Sequence, residues 1–253
     1  MIDTHAHLCD SAFAQDLTDV LERAAAAGVE AVVAVGESLE DARRNLELAA
    51  RHPGRVLPAA GLFPTRLDRR EADAVIELAR ERVADLVAIG EVGLDHWKVE
   101  EGAARELQRE LFLRFVDLGL ELDLPLNVHS RAAGRVTIEA LVARGARRVQ
   151  MHAFDGRAAS ALPGVEAGYF FSVPPSVLRS PQKRKLVRRL PLECLLVETD
   201  SPVLGVEAGE RNEPVAAAIS LRAIAEIKEL PIERVHEAVE ENTARLYGPR
   251  VDR

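Results

Sequence analysis

Histidines and carboxylates stand at the ends of short apolar runs in this sequence. The six that could do chemistry are His5, His7, Glu91, His129, His152 and Asp200. Imidazole and carboxylate groups are common ligands of divalent cations in catalytic sites. His5 and His7 are two residues apart, so the two-residue period of a strand points both side chains the same way. The pattern therefore predicts a divalent metal centre built from several strand ends.

The two carboxylates of this set follow runs that are almost wholly apolar. Glu91 ends VAIGE, where an ionisable group needs either a charged partner or a metal, and its carboxylate can bridge two ions. Asp200 ends CLLVETD, and we interpret it as a ligand. Glu198 shares its strand face and is expected to orient a metal-binding histidine, with a buried salt bridge as the alternative.

The other three of the seven histidines do not stand at strand ends. His52 precedes a proline at a helix end and His236 lies in a charged helical stretch, so neither is expected to act in catalysis. His96 and Trp97 follow GEVGLD in a loop, where they either touch substrate or pack only within the loop. Asp95 is interpreted as the cap of that loop rather than as support for the metal centre.

Apolar runs alternate with segments of helical period, which is typical of β-α units around a parallel sheet. The eight runs are Ile2 to His7, Ala31 to Gly36, Val56 to Leu62, Val87 to Glu91, Pro125 to Ser130, Arg148 to His152, Tyr169 to Val173 and Cys194 to Asp200. Eight units can close into a TIM-type (β/α)8 barrel, and residues 1–253 are expected to form one such domain. A doubly wound open sheet is the alternative, but only a barrel brings many strand ends to one mouth.

Composition limits the possible classes of protein. The net charge is -8, with 47% hydrophobic and 29% charged residues, which fits a globular domain and disfavours a long polyanion as an obligatory partner. One basic cluster is still present, on or near a single predicted helix: Arg179, Lys183, Arg184, Lys185, Arg188 and Arg189. A solvated helix face is the favoured interpretation of this cluster, and contact with a polyanion is the alternative. Neither a targeting segment nor a membrane span is evident, so we expect a cytoplasmic protein.

The motifs along the chain resemble those of the TatD family of metal-dependent deoxyribonucleases, within the amidohydrolase-like barrels. They are DTHAHL at 3–8, GEVGLD at 90–95, VHSR at 128–131, HAFDG at 152–156, VETDSP at 197–202, RNEP at 211–214 and ENTARLYG at 241–248. The resemblance implies a barrel with two, sometimes three, divalent ions that hydrolyses phosphodiesters in DNA, often from the 3′ end. It also implies that Glu91 bridges the ions. One site would then contain His5, His7 and Asp200, and the other His129 and His152.

Three departures from the family pattern concern the substrate more than the metal. Phe63 in GLFP stands where the family usually has a histidine. Ala132 and Ala133 follow Arg131 where an acidic residue is typical, so Arg131 is expected to be oriented differently. The loop from Glu207 to Glu210 is acidic where relatives tend to be basic, and it would repel a phosphate backbone.

The leading hypothesis is a phosphodiesterase acting on DNA with two divalent ions, which could be Mg²⁺, Mn²⁺ or Zn²⁺. Asp200 is expected to act as general base, Glu91 to set the spacing of the ions, and Arg131, Arg211 and the basic cluster to position phosphates. An alternative is hydrolysis of a small ester, lactone, amide or aminoacyl ester, which Phe63 and the acidic loop favour. A third is a barrel that binds metal without turnover.

Overall fold

Eight parallel strands form the centre of the molecule. The structure is a computed structural model and describes residues 1–251. The strands are β1 (Ile2–Ala6), β2 (Ala31–Ala34), β3 (Val56–Ala60), β4 (Ala88–Gly93), β5 (Leu126–His129), β6 (Val149–Met151), β7 (Phe170–Val173) and β8 (Leu195–Val197). They neighbour one another in sequence order. The last two residues of the predicted domain, 252 and 253, lie outside the described part.

Helices follow the strands and cover the outside of the sheet. Within residues 1–251 the α-helices are α1 (Leu17–Ala26), α2 (Leu39–Arg51), α3 (Arg69–Glu81), α4 (Ala103–Leu122), α5 (Gly134–Arg144), α6 (Ala158–Glu166), α7 (Pro181–Arg189), α8 (Ala217–Lys228) and α9 (Ile232–Tyr247). Local sequence fixes their starts: the Ser38 hydroxyl caps α2 by accepting the amide of Asp41, and Asp68 caps α3 in the same way. The buried face of α3 carries Val75 and Ile76.

The sheet closes where its first and last strands meet. The amide of Asp200 donates to the carbonyl of His5 at 2.9 Å, and the amide of His7 donates to that of Ser201 at 2.8 Å. An isolated parallel bridge between Ala6 and Ser201 completes this seam. The predicted TIM-type barrel is therefore confirmed, whereas an open doubly wound sheet would reverse its strand order at a switch point. The seam also brings three of the expected metal ligands together.

All eight predicted strands are confirmed, but several of their ends differ. The last was expected to reach Asp200, and its regular part ends at Val197. The fourth was expected to end at Glu91 and instead continues to Gly93, with a register shift between Ile89 and Val92. Between Val197 and the bridge at Ser201 the chain leaves the regular ladder, and the left-handed backbone of Asp200 interrupts the strand period.

The core is aliphatic, as the low aromatic content of 4% requires. Buried Val, Leu, Ile and Ala side chains fill the space between sheet and helices, and the interior cluster at the lower end of the barrel contains Val33, Leu57, Leu196 and Tyr247. In the part of the chain that the structure describes, none of the helices combines the length and the apolar character that crossing a membrane would require.

Candidate metal centre

Glu91 lies at the centre of the six residues that the sequence singled out, which we call the mouth cluster. Its two carboxylate oxygens face different histidines. Oε1 is 2.6 Å from Nδ1 of His129 and 3.3 Å from Nε2 of His152. Oε2 is 3.6 Å from Nε2 of His7 and 3.8 Å from Nε2 of His5. One buried carboxylate therefore connects two separate pairs of imidazoles.

Asp200 joins the His5 and His7 side of the mouth cluster. Its Oδ1 lies 3.2 Å from Nε2 of His7 and 3.3 Å from Nε2 of His5, and the two imidazole nitrogens are 3.4 Å apart. Asp200 has a backbone φ of 55°, in the left-handed region that non-glycine residues rarely adopt. This turn directs the carboxylate toward the histidines of β1, directly after the strand has ended.

A hydrogen bond with Asn127 fixes the tautomer of His5. Asn127 on β5 donates its amide N–H to the carbonyl of Thr4 at 2.9 Å, so its Oδ1 is the atom that faces Nδ1 of His5 at 2.8 Å. That oxygen can only accept, so Nδ1 carries the proton and the Nε2 lone pair faces the mouth cluster. The sequence analysis did not single out Asn127. Its signal was a lone amide in the apolar run before His129.

Glu198 holds His152 in a similar way. Its Oε2 lies 3.4 Å from Nδ1 of His152 and accepts the Ser172 hydroxyl at 2.6 Å, while Oε1 accepts the amide of Ala153 at 2.8 Å. These contacts turn Nε2 of His152 toward Glu91. The structure thus places Glu198 beside His152, where the sequence analysis expected an orienting group.

Asp95 has two roles, and the sequence analysis expected only one of them. Its Oδ1 accepts the amides of Trp97 at 2.9 Å and Lys98 at 2.7 Å, which is the predicted loop cap. Its Oδ2 lies 3.2 Å from Nε2 of His129. Because Nε2 of His129 contacts Asp95, it is Nδ1 of His129 that faces Glu91. Asp95 therefore also orients a histidine of the mouth cluster.

Burial and charge oppose each other throughout the mouth cluster. Burial alone would raise the pKa of Glu91, but His152 and its neighbours outweigh this and hold the pKa well below its usual range. The same opposition lowers the pKa of Asp200. Burial would lower the pKa of His7, yet Asp200 and Glu91 raise it to about 9. The carboxylates are therefore ionised at neutral pH and surrounded by imidazoles.

Two observations fit a divalent cation at five of these six residues, all except His129. Oε2 of Glu91 is buried and has no hydrogen-bond partner within residues 1–251, which is costly for a carboxylate oxygen. The donor atoms of His5, His7 and Asp200 lie within 4.8 Å of one another, as do those of His5, Glu91 and His152. A bound cation would satisfy the free oxygen and the converging nitrogen lone pairs together.

A third group of this kind includes a residue that the sequence analysis missed. Glu37 follows β2 at the same end of the barrel, and donor atoms of His7, Glu37 and Glu91 also lie within 4.8 Å of one another. Its side chain is 46% exposed, and its Oε1 is 3.7 Å from Nδ1 of His7. The signal available in the sequence was its position just after an apolar strand.

Phe63 and Arg131, which the departures from the family pattern concern, lie at the mouth of the barrel, as does Arg211. The ring of Phe63 packs edge-on against His129 at 5.1 Å, so an apolar wall stands beside the mouth cluster. Arg131 stacks its guanidinium on the exposed indole of Trp97 at 3.7 Å. Arg211 donates to Asp16 at 2.8 Å and lies 3.6 Å from Glu213. Both arginines lie on loops at the mouth end, and Arg211 is already paired with carboxylates.

Comparisons with known proteins agree with this architecture. A family model described as TatD related DNase matches residues 2–248. A human protein (Homo sapiens) named Deoxyribonuclease TATDN3 is 43% identical, over 98% of this chain and 94% of the relative. A Mycobacterium tuberculosis protein named Uncharacterized metal-dependent hydrolase TatD is 38% identical, over 98% of each chain. The crystal structure of YjjV, a TatD homolog from Escherichia coli, superposes with a TM-score of 0.90 at 29% identity, over 98% of this chain and 97% of that one. The chain therefore belongs to the TatD-related DNase family.

Proposed function

We propose that this protein is a divalent-metal-dependent hydrolase that cleaves phosphodiester bonds in DNA. The observation that carries the proposal is the buried carboxylate of Glu91, whose two oxygens face different pairs of histidines and one of which has no hydrogen-bond partner within residues 1–251. The named functions of the human deoxyribonuclease and the mycobacterial metal-dependent hydrolase support it.

In this proposal the mouth cluster holds two ions. His5, His7 and Asp200 would hold one, His129 and His152 would hold the other, and Glu91 would serve both. Mixed imidazole and carboxylate donors suit Zn²⁺ or Mn²⁺, and phosphate chemistry also allows Mg²⁺. When bound, such ions polarise a phosphoryl oxygen and lower the pKa of water.

The protein's own groups bind the substrate and handle the proton. Asp200 is ionised at neutral pH and its carboxylate faces the mouth, so it can accept the proton of the attacking water and pass it to the leaving oxygen. Arg131 lies on the loop that follows His129, where its guanidinium can contact a phosphate. Arg211 can do the same once its pairing with Asp16 is exchanged for the substrate.

A specific observation favours a second candidate, hydrolysis of a small neutral ester. The apolar ring of Phe63 lies against His129, and Glu207 and Glu210 are exposed on the loop before Arg211. An apolar wall and a negatively charged loop would both accept an uncharged acyl substrate more readily than a phosphate backbone.

A parallel assay of two substrates decides between these functions. The protein is stripped of metal, re-supplied separately with Mg²⁺, Mn²⁺ and Zn²⁺, and given 3′-labelled single-stranded DNA and a neutral aryl ester. Metal-restored cleavage of DNA with the ester intact is the expected result, and it should disappear in the His129→Ala variant. Ester turnover with intact DNA would establish the second candidate. Metal-independent cleavage of DNA would reject the proposal.

A further inference from the structure

A groove lies between α6 and α7, outside the mouth cluster. Its cavity volume is about 790 Å³, and four cationic side chains line it: Arg157, Lys185, Arg188 and Arg189. The lining between them is apolar and includes Ala159 and the buried Leu186. The groove is therefore a locally positive, partly apolar surface on a protein whose net charge is -8. Such a surface suits a negatively charged ligand.

The four cations lack the carboxylate partners that several other surface arginines have within residues 1–251. Arg80, for example, is paired across neighbouring helices with Glu121 at 2.7 Å. Across residues 1–251, none of the four groove cations has an ion pair or a side-chain hydrogen bond with a carboxylate. All four are also exposed. The groove therefore holds positive charge that nothing in the described chain neutralises.

The basic cluster that the sequence suggested is thus divided by the structure. Arg179 precedes α7 and donates to the carbonyl of Gly205, and Arg184 pairs with Glu226 on α8 at 3.0 Å. Lys183 is turned inward and donates to the carbonyl of Ala153 at 2.8 Å. The remaining cations of the cluster line the groove, where Arg157 joins them from the start of α6. Lys183 and Arg184 therefore depart from the predicted solvated helix face, whereas Lys185, Arg188 and Arg189 are exposed, as that interpretation expected.

The groove begins at the mouth of the barrel. Gln182 at the start of α7 donates to the carbonyl of Gly156 at 2.5 Å, in the loop that begins with His152. The carbonyl held by Lys183 belongs to the residue after His152. From Gln182 to Arg189 the helix rises about 10 Å, at about 1.5 Å per residue. A run of this length lets the cations of α7 follow one strand over consecutive phosphates.

The start of α6 adds to the positive potential. Arg157 occupies the N-cap position, where its carbonyl accepts the amide of Ser160 at 2.9 Å, and the partial positive charge of the helix N-terminus lies at this end. The carboxylate of Asp155 opposes this charge and accepts the amide of Ala132 at 3.0 Å. The guanidinium and ammonium groups that line the groove therefore contribute most of its attraction for anions.

We propose that the groove between α6 and α7 binds the phosphodiester backbone of a single DNA strand, at nucleotides outside the bond that is cleaved. The inference rests on the proposed function of the mouth cluster and extends it to a separate surface. A single strand is favoured over a duplex because its unpaired bases are free to lie on the apolar floor. The cations bind phosphates, and the apolar floor accepts sugars and bases.

The test uses the metal-loaded protein and a fluorescein-labelled single-stranded phosphorothioate oligonucleotide that is long enough to span the mouth and the groove. The groove variant combines Lys185→Gln, Arg188→Gln and Arg189→Gln. The matched control combines Arg69→Gln, Arg80→Gln and Arg144→Gln, which remove the same charge from paired surface sites. Anisotropy gives the association constant of each protein over a series of KCl concentrations.

In the groove variant we expect affinity to fall on the order of 10- to 100-fold at low salt, and the slope of log K against log salt to fall by about 2, because three cations no longer contact phosphates. The control should keep the wild-type slope. Equal slopes in the two variants would overturn the inference.

Hydrolysis of bis(4-nitrophenyl) phosphate by the same proteins separates this inference from the proposed function. That substrate is too short to reach the groove, so the groove variant should turn it over at the wild-type rate. If no metal-loaded protein hydrolyses either this diester or DNA, the proposed function fails. The difference in salt slope would still decide whether the groove binds the strand.

Discussion

Two clusters of buried polar side chains occupy the barrel, and they satisfy their hydrogen bonds differently. The mouth cluster is one of them. The other, which we call the lower cluster, consists of Thr4, Asn127, Gln150, Ser172 and Tyr247, all buried. Tyr247 donates to Oε1 of Gln150 at 2.6 Å, and Nε2 of Gln150 donates to the hydroxyls of Thr4 at 3.0 Å and Ser172 at 2.9 Å. Within the lower cluster, neutral donors are matched to neutral acceptors.

The mouth cluster contains ionisable groups, and not all of its polar atoms have partners within residues 1–251. Imidazole nitrogens of His5 and His7 lie 3.4 Å apart, and Oε2 of Glu91 is among the few buried side-chain atoms of residues 1–251 that have no hydrogen-bond partner. The two clusters thus differ: the hydrogen bonds of the lower cluster stabilise the fold by themselves, and the mouth cluster keeps a carboxylate oxygen that a cation would satisfy. The difference can be tested by substitutions in each cluster.

The largest effect is expected at Glu91. Glu91→Gln removes the charge that connects the two pairs of histidines, so turnover should fall by at least about 10²- to 10³-fold. The rise in melting temperature on metal addition should also be lost, because fewer ligand atoms hold the ion. Differential scanning calorimetry with and without metal measures this, and Glu100→Gln in an exposed loop is the control. An unchanged metal-induced rise would remove the basis for distinguishing the clusters.

Asn127 belongs to the lower cluster but contacts the mouth cluster, so its effect should be the next largest. In Asn127→Leu no acceptor remains for Nδ1 of His5, and the tautomer with a free Nε2 is no longer enforced. We expect metal affinity to fall about 10- to 100-fold, as for other groups that orient a metal-binding histidine. Calorimetric titration with metal measures the change. Asn127→Asp keeps an acceptor and should lose less, so equal losses in both variants would contradict the tautomer argument.

Tyr247 tests the lower cluster alone. Tyr247→Phe leaves Oε1 of Gln150 without its donor, which should lower the free energy of unfolding by about 1–3 kcal/mol. Metal affinity should stay the same, because the hydroxyl contacts no residue of the mouth cluster. Urea denaturation gives the stability, and metal titration of the same protein gives the affinity. A fall in metal affinity would show that the lower cluster also shapes the metal centre.

The sequence could predict the strands better than their ends. A parallel strand that is covered on both sides is apolar on both faces, so its run is visible, as with β8 in CLLVETD. The point where the chain leaves the ladder depends on backbone torsion, which residue types at Asp200 do not reveal. Strand ends were therefore misplaced where the site begins. The histidines and carboxylates were still recognisable, because ionisable residues are rare in such runs.

Other parts of the candidate site needed the three-dimensional structure. Asn127 resembles any polar strand residue until the contact with His5 is seen, and Glu37 lies in a polar loop whose path a pattern does not give. The basic cluster showed the same limitation, since spacing along α7 could not indicate that Glu226 neutralises Arg184 while Lys185 stays free. Partner choice across elements is set by packing, and a single sequence does not show it.

Ser172 connects the two clusters most weakly, and its substitution should have the smallest effect. Its hydroxyl accepts from Gln150 at 2.9 Å and donates to Oε2 of Glu198 at 2.6 Å, and Glu198 in turn faces His152. In Ser172→Ala, Glu198 keeps the amide of Ala153, so stability should fall by about 1 kcal/mol and metal affinity by less than tenfold. Denaturation and metal titration of the same variant measure both. If stability falls while metal affinity does not change, the lower cluster does not act on the mouth cluster through Glu198, and Asn127 is then the contact that joins them.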